Sequence, residues 1–452
     1  QFTTIYSIPP PLFFAVYLND LQSFMLEKME GMSSLQLAAR SYCENIDEDT
    51  MFNMFLLLYA DDTVICSENA DNLQKSLDRM FEYCNLWQLK INVNKTKVVV
   101  FSRGKIRNVP LFTYNGQPVE VVSGFQYLGI YFNYNNKFNV SQKHLFDKAS
   151  RAMFALVRKS RKLMLPLDIQ IELFDRMIVP ILLYGCEVWC PSMLNLASKL
   201  QLRYYKIILK LNKATPTKMI YGELGQFPLE VQAKTRMLNF LFKLVTNSNL
   251  NKFSCIMYRF LHDMYYNSDY KSNYLVTVES LLNDLGLSGM WINQFELSCS
   301  DHWFKQKVNR SLKDQYIQQW LSDIDTGDIF YNYRLYKGVF QTESFLSCLP
   351  QPLILSILHF RTLNHRLPIQ KGRINNIPRG ERLCHLCDDN DVGDEFHYIF
   401  DCAFFSNSRN ALIPRYYRFR PNVLKFQELF STKSRKLLIK LAKFCNIIMK
   451  NV

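Results

Sequence analysis

The hydrophobic period changes once along this chain, near Asn139, and that change constrains the fold more than any other feature. Before it, apolar residues come in short blocks or alternate: FLLLY, TVIC, and LFTYNGQPVEVV with its Asn115-Gly116 turn signal. Asn-Gly suits a two-residue hairpin loop because both residues tolerate positive φ. After Asn139, strands give way to stretches such as SQKHLFDKASRAMFALVRKSRKLM and ASKLQLRYYKIILKLNKA, whose apolar positions recur at helical spacing. The pattern predicts an α+β fold class, an antiparallel sheet with helices on one face followed by a mostly α-helical remainder. In the first part, Ser7 to Met25 reads as a helix opened by prolines, with Asp20 inside it. SENADNLQKSLDRMFEYCNLW reads as a second helix, N-capped by Ser67, Asn69 or Asp71 and burying Leu73, Leu77, Met80, Phe81 and Cys84. LKINVNKTKVVVF and Phe125 to Phe132 read as strands.

Charge is uneven along the chain. The net +14 arises from 54 Lys and Arg against 40 Asp and Glu, yet residues 1–142 hold 11 basic and 14 acidic side chains, while residues 143–220 hold 14 and 5. A basic stripe of that kind predicts an anionic partner, nucleic acid before a membrane surface; scattered cations solvating helix faces are the alternative. No apolar run approaches 18 residues, so no membrane-spanning helix is expected. Twelve cysteines, mostly single and set among apolar neighbours, fit buried thiols in a reducing, intracellular setting better than a disulfide framework.

FLLLYADDTVIC places Asp61 and Asp62 side by side between two strands. Carboxylates held this close resist joint ionisation, and a divalent cation removes the conflict. Oxygen ligands that leave room for waters and substrate phosphates suit Mg²⁺, with Mn²⁺ as a substitute. A solvated hairpin tip is the structural alternative. Near the other end, RLCHLCDDNDVGDEFHYIFDC contains Cys384, Cys387, His397 and Cys402 in a C-x2-C-x9-H-x4-C arrangement. Three thiolates and one imidazole select Zn²⁺, and four ligands leave no open position, so such a site is structural. His385 is a competing ligand, and ordinary buried cysteines are the alternative. Around this cluster Arg361, His365, Arg366, Lys371, Arg373, Arg415, Tyr416, Tyr417, Arg418 and Arg420 offer phosphate contacts and base stacking, or simply a solvated face.

The order of these motifs resembles the reverse transcriptases of non-LTR (LINE-like) retrotransposons. PPLFFAVYLNDL resembles the helix that follows their template-contacting loop, LYADDTVI the catalytic hairpin, LKINVNKTKVVVF the next motif and FQYLGIYF the primer grip; LLYGCEVW, GELGQFPLEVQAKTR, LLNDLGLSGMW and HFRTLNHRLPIQKGR resemble stretches downstream. GDEFHYIFDC looks like the zinc-binding segment that closes many such proteins. The resemblance implies two-metal nucleotidyl transfer with Asp61 and Asp62 as metal ligands and Tyr59 and Ala60 shaping the turn. It also implies Lys95 or Lys97 near the nucleotide phosphates, and Tyr127, Leu128 and Gly129 supporting the primer. RNA template, DNA primer and deoxynucleoside triphosphates become the expected partners, with no membrane, in nucleus or cytoplasm. The implied domains are a partial palm at 1–139, a basic helical thumb at 140–247, a helical connection at 248–367 and a zinc-binding domain at 368–452.

Two features depart from that pattern. The family carries another metal-binding aspartate on a strand before the PPLF helix, for which Asp20 cannot substitute, and a Gly-rich turn where this chain reads TTIYSIPP. Residues for the fingers are missing as well. The expectation is a fragment, inactive alone in primer extension; the alternative is a non-catalytic nucleic-acid-binding remnant or domesticated retroelement protein.

Overall fold

A computed structural model describes residues 18–26, 56–59, 62–67, 69–102, 110–135, 137–189, 194–246, 252–267 and 271–452. Residues 1–17, Ala60 and Asp61 lie outside them, so most of the expected first helix does too. The architecture is mixed α+β, with small sheets in the N-terminal part and a mostly helical remainder. Two compact units form, Gln1–Ser141 with Phe240–Ser298 and Gln142–Asn239 with Cys299–Val452.

In the first unit, β1 (Leu56–Tyr59) and β2 (Asp62–Ile65) pair antiparallel, with Leu56 opposite Ile65 and Tyr59 opposite Asp62. β3 (Lys97–Val99), β4 (Phe112–Tyr114) and β5 (Gln117–Val122) form a sheet in the order β3-β5-β4. β6 (Gly124–Tyr127) and β7 (Ile130–Asn133) form a separate hairpin. The antiparallel expectation therefore needs correction at one pair: β3 runs parallel to β5, with Lys97 beside Glu120. Between Ile91 and Thr96 the expected strand is a turn, because Asn92 accepts the amides of Lys95 and Thr96 and its Oδ1 accepts Lys95 N at 3.2 Å. Such local side-chain acceptors compete with a sheet ladder. The single strand expected over 125–132 is instead the β6–β7 hairpin, since Leu128 and Gly129 both have positive φ, 46° and 83°, the geometry of a tight hairpin loop.

The helices are placed by caps and apolar stripes. α1 (Leu21–Leu26) begins after Asp20, which lies in the preceding turn and not inside the helix; its carbonyl accepts Phe24 N at 2.9 Å and its carboxylate accepts the Tyr83 hydroxyl at 2.6 Å. Asn69 is the N-cap of α2 (Ala70–Leu86), accepting Asn72 N at 2.8 Å. One face of α2 buries Leu77, Met80, Tyr83 and Cys84 against Leu21, Met25, Leu56, Val98, Phe112, Tyr114 and Val119. Burying a side chain of this size is worth about 1.5–3 kcal/mol each, so this apolar face anchors the small sheets. Farther along, α3 (Phe253–Asn267) and the segment that follows α4 (Asn273–Asp284) bring rings together around His262, with Tyr266, Phe295 and Trp291 at 4.9, 5.0 and 5.9 Å between centroids.

The second unit is helical. α5 (Asp301–Thr326), α6 (Gln351–Arg361), α7 (Glu395–Phe400), α8 (Val423–Phe430) and α9 (Arg435–Asn451) surround a core that includes Trp320, Phe360, Tyr398, Phe426, Phe430 and Phe444. Within it Arg361, fully buried, donates from Nε and Nη2 to Glu223 at 2.8 Å each and from Nη1 to the Phe430 carbonyl at 2.9 Å. Among the described residues no helix is long and apolar enough to cross a membrane.

Candidate active site and metal centre

Tyr59 and Asp62 close the described ends of the β1–β2 pair. Both are exposed, Tyr59 at 63%. Asp61 and Ala60, between them in sequence, lie outside the described residues. Burial first, then the charge of Asp62 and then that of Cys66, push the Tyr127 phenol above its usual range, so the Asp62 charge acts on Tyr127 although 65 positions separate them in sequence. Leu128 and Gly129 form the loop beside Tyr127, and Leu128 adopts the left-handed region that a non-glycine residue rarely occupies.

The two lysines differ. Lys97 Nζ lies 2.6 Å from Glu120 Oε2, its neighbour across the parallel pair. Lys95, exposed in the Asn92 turn, makes no ion pair among the described residues. Glu120 is a site neighbour that sequence reasoning missed, because the β3–β5 register carries no local signal.

At the other site the four expected ligands converge. Their ligand atoms all lie within 4.8 Å of one another, with Cys384 Sγ 3.9 Å from Cys402 Sγ and Cys387 Sγ 3.3 Å from His397 Nε2. A tetrahedral zinc with Zn–S about 2.3 Å and Zn–N about 2.0 Å separates its ligands by roughly 3.5–3.8 Å, so the donor set fits that ion. His385, the competing ligand, does not belong to the cluster.

The chain is shaped around this centre. Cys384 N donates to Asp391 O at 2.8 Å, and Leu386 N donates to Cys384 Sγ at 3.4 Å, which turns the two cysteines of the C-x2-C segment inward. Asp394 caps α7 by accepting His397 N at 3.1 Å, and Cys402 N donates to His397 O at 2.9 Å, so one short helix sets the spacing of the last two ligands. The cap was legible as Asp394 three positions before His397. Burial raises the Cys387 thiol to about 12, and it raises Cys402 as well; three thiolates therefore need a cation among them. For Cys384 burial also opposes ionisation, yet hydrogen bonding from the Tyr398 hydroxyl and the Leu386 amide brings it down to about 7. His397 Nδ1 is buried without a hydrogen-bond partner among the described residues, and Asp391 Oδ2 stands 3.7 Å away. A carboxylate behind a ligating imidazole commonly orients it.

Three of the residues named around the cluster are unavailable to nucleic acid. Arg361 is held by Glu223, His365 Nε2 lies 3.1 Å from Glu395 Oε1 in the interior, and Tyr417 is buried. Long spacing hid the reason: Glu223 is 138 positions from Arg361. Arg366, Arg415, Tyr416 and Arg420 remain exposed.

Residues 11–132 match the family model described as reverse transcriptase (RNA-dependent DNA polymerase). Over part of its length the chain is also similar to jockey polymerases. It is 26% identical over 170 residues to the RNA-directed DNA polymerase from mobile element jockey of Drosophila funebris, and 22% identical over 173 residues to that of Drosophila melanogaster. Each alignment covers 36% of this chain and 18% of the jockey polymerase. A transposon-derived protein of Caenorhabditis elegans, F52C9.6, is 26% identical over 197 residues, which cover 42% of this chain and 68% of that one. No solved structure matches. The family match includes the segment that holds both hairpins, while the Cys384, Cys387, His397, Cys402 cluster lies beyond it.

Proposed function

We propose that this chain supplies the palm hairpin, primer-supporting loop, thumb and zinc module of an RNA-directed DNA polymerase of a non-LTR retroelement. The reading is carried by one observation: the stretch matched to reverse transcriptases holds two hairpins, one ending at the exposed Asp62 and the other turning at Leu128 and Gly129. Asp61 and Asp62 would hold magnesium, which when bound would supply activation of the primer hydroxyl and charge neutralisation at the departing pyrophosphate. Tyr59 and Ala60 set the turn beside the primer terminus. Tyr127, Leu128 and Gly129 support the primer strand from the second hairpin, and Lys95, unlike the neutralised Lys97, meets the nucleotide phosphates.

Domain roles follow the same reading: residues 1–139 act as a partial palm, 140–247 as a basic thumb on the template–primer duplex, 248–367 as a connection and 368–452 as the zinc-binding domain. Zinc held by Cys384, Cys387, His397 and Cys402 is structural and couples to local folding.

The test is binding of an RNA template annealed to a DNA primer, with and without Mg²⁺ and the complementary nucleotide. Magnesium and the nucleotide should tighten the complex, and Asp62→Asn should abolish that gain while sparing metal-independent binding. Binding that ignores magnesium and tolerates Asp62→Asn would leave only a nucleic-acid-binding role.

A further inference from the structure

Beyond the zinc ligands the chain becomes strongly basic: from Arg415 to Val452, ten Lys and Arg face a single acidic side chain, Glu428. Large rings stand exposed at the start of this segment. Tyr416 is 57% and Phe419 59% exposed, whereas Tyr417 between them is buried. Leaving two aromatic rings in water forgoes a sizeable burial term, and paired exposed aromatics usually mark a contact surface.

The segment is held in place by its own cations. Arg418 Nε donates to the Ile413 carbonyl at 2.7 Å and its Nη1 donates to Asn410. Lys425 Nζ donates to the Phe419 carbonyl and lies 4.9 Å from the Tyr416 ring centroid. The Tyr416 hydroxyl donates to Glu428 at 3.1 Å, which uses the lone acid of the region. Arg420, with φ 48°, lies 5.4 Å from the Phe419 ring centroid, and neither it nor Arg415 has an ion pair among the described residues. Rigid exposed rings interleaved with unneutralised guanidinium groups match what an unpaired strand presents: base faces to stack and phosphates to neutralise.

We propose that the surface of Pro414 to Lys425 binds a single-stranded polynucleotide, Tyr416 and Phe419 stacking on bases while Arg415 and Arg420 meet phosphates. This rests on the nucleic-acid part of the reading above and is independent of polymerase chemistry. The local charge disfavours a second copy of the same basic surface as the occupant, and stacking distinguishes an unpaired strand from duplex, whose base faces are already covered.

The experiment is fluorescence anisotropy of labelled oligothymidylate and oligouridylate with the zinc-loaded full chain, alongside a duplex of the same length and heparin. Tyr416→Ala and Phe419→Ala should each weaken single-strand binding about tenfold, with unchanged zinc content and melting temperature. Tyr416→Trp and Phe419→Trp should retain it. Arg415→Ala with Arg420→Ala should reduce the log–log salt slope by about 1.4, two phosphate contacts on a single strand. Wild-type affinity in the double alanine ring variant, with the parent chain binding tightly, overturns this surface and leaves the nucleic-acid reading standing. Failure of the parent chain to bind any oligonucleotide overturns both. Equal losses on heparin and oligonucleotide for the ring variants also overturn it, because heparin offers charge without bases.

Discussion

Arg361 and Glu223 meet without solvent, the guanidinium fork reaching both carboxylate oxygens at 2.8 Å. Glu343 lies 3.4 Å from the same guanidinium and also receives Lys337 Nζ, while the Tyr336 ring centroid stands 4.5 Å from Arg361 Cζ. Breaking one side of such a pair leaves a buried charge uncompensated, typically at about 3–5 kcal/mol. Arg361→Met should therefore lower the unfolding free energy of this unit, read from urea titration, by that amount, and adding Glu223→Leu should recover part of the loss. A change below about 1 kcal/mol for the single variant would mean that Glu223 finds water or another cation.

Zinc should be stoichiometric. Metal analysis of the purified chain should give one ion, and Cys387→Ser should lose it, because the remaining three donors cannot close a tetrahedral site. Chelation should unfold the segment around Cys384 to Cys402 and lower the melting temperature, since metal binding and folding share free energy here. Asp391→Ala should reduce zinc affinity by about ten- to a hundredfold while leaving the stoichiometry intact. Full zinc retention in Cys387→Ser would exclude this ligand set.

His262 should make the α3–α4 region acid-sensitive. Burial among Tyr258, Tyr266, Trp291 and Phe295 lowers its imidazole pKa, against which Asp263, on the same helix, acts in the raising direction; Arg259 lies over the Phe295 ring. A histidine whose folded pKa lies below its unfolded value, about 6.5, contributes stability above that value and loses it as pH falls. Melting followed from about pH 8 to about pH 5 should show stability dropping at the acid end, and His262→Phe should flatten that slope. An unchanged slope in the variant would assign the acid loss to other groups.

Lys95 and Lys97 should separate binding from stability. Lys97→Ala breaks an ion pair whose Glu120 partner is largely exposed, so its cost should stay within about 1 kcal/mol and nucleotide binding should be little altered. Lys95→Ala should leave melting unchanged and weaken nucleotide-dependent tightening of the RNA–DNA complex. The reverse ranking in a titration of nucleotide against both variants would place the phosphates beside Lys97.

Local chemistry carried much of this protein. The switch from short strands to long helices near Asn139, the Asn115-Gly116 hairpin, the Asn69 cap, the Tyr59 and Asp62 strand ends and the four-ligand cysteine–histidine spacing are all set by neighbours within a few residues, where rotamer, turn and capping preferences act. Tertiary structure alone decided the rest: that β3 runs parallel to β5 and ties Lys97 to Glu120, that the stretch around Leu128 and Gly129 pairs as a hairpin and not as one strand, and that Arg361 and His365 serve the interior while Tyr416 and Phe419 stay outside. These outcomes depend on pairings between residues distant in sequence, and on which charge finds a buried partner; neither leaves a local periodicity to read.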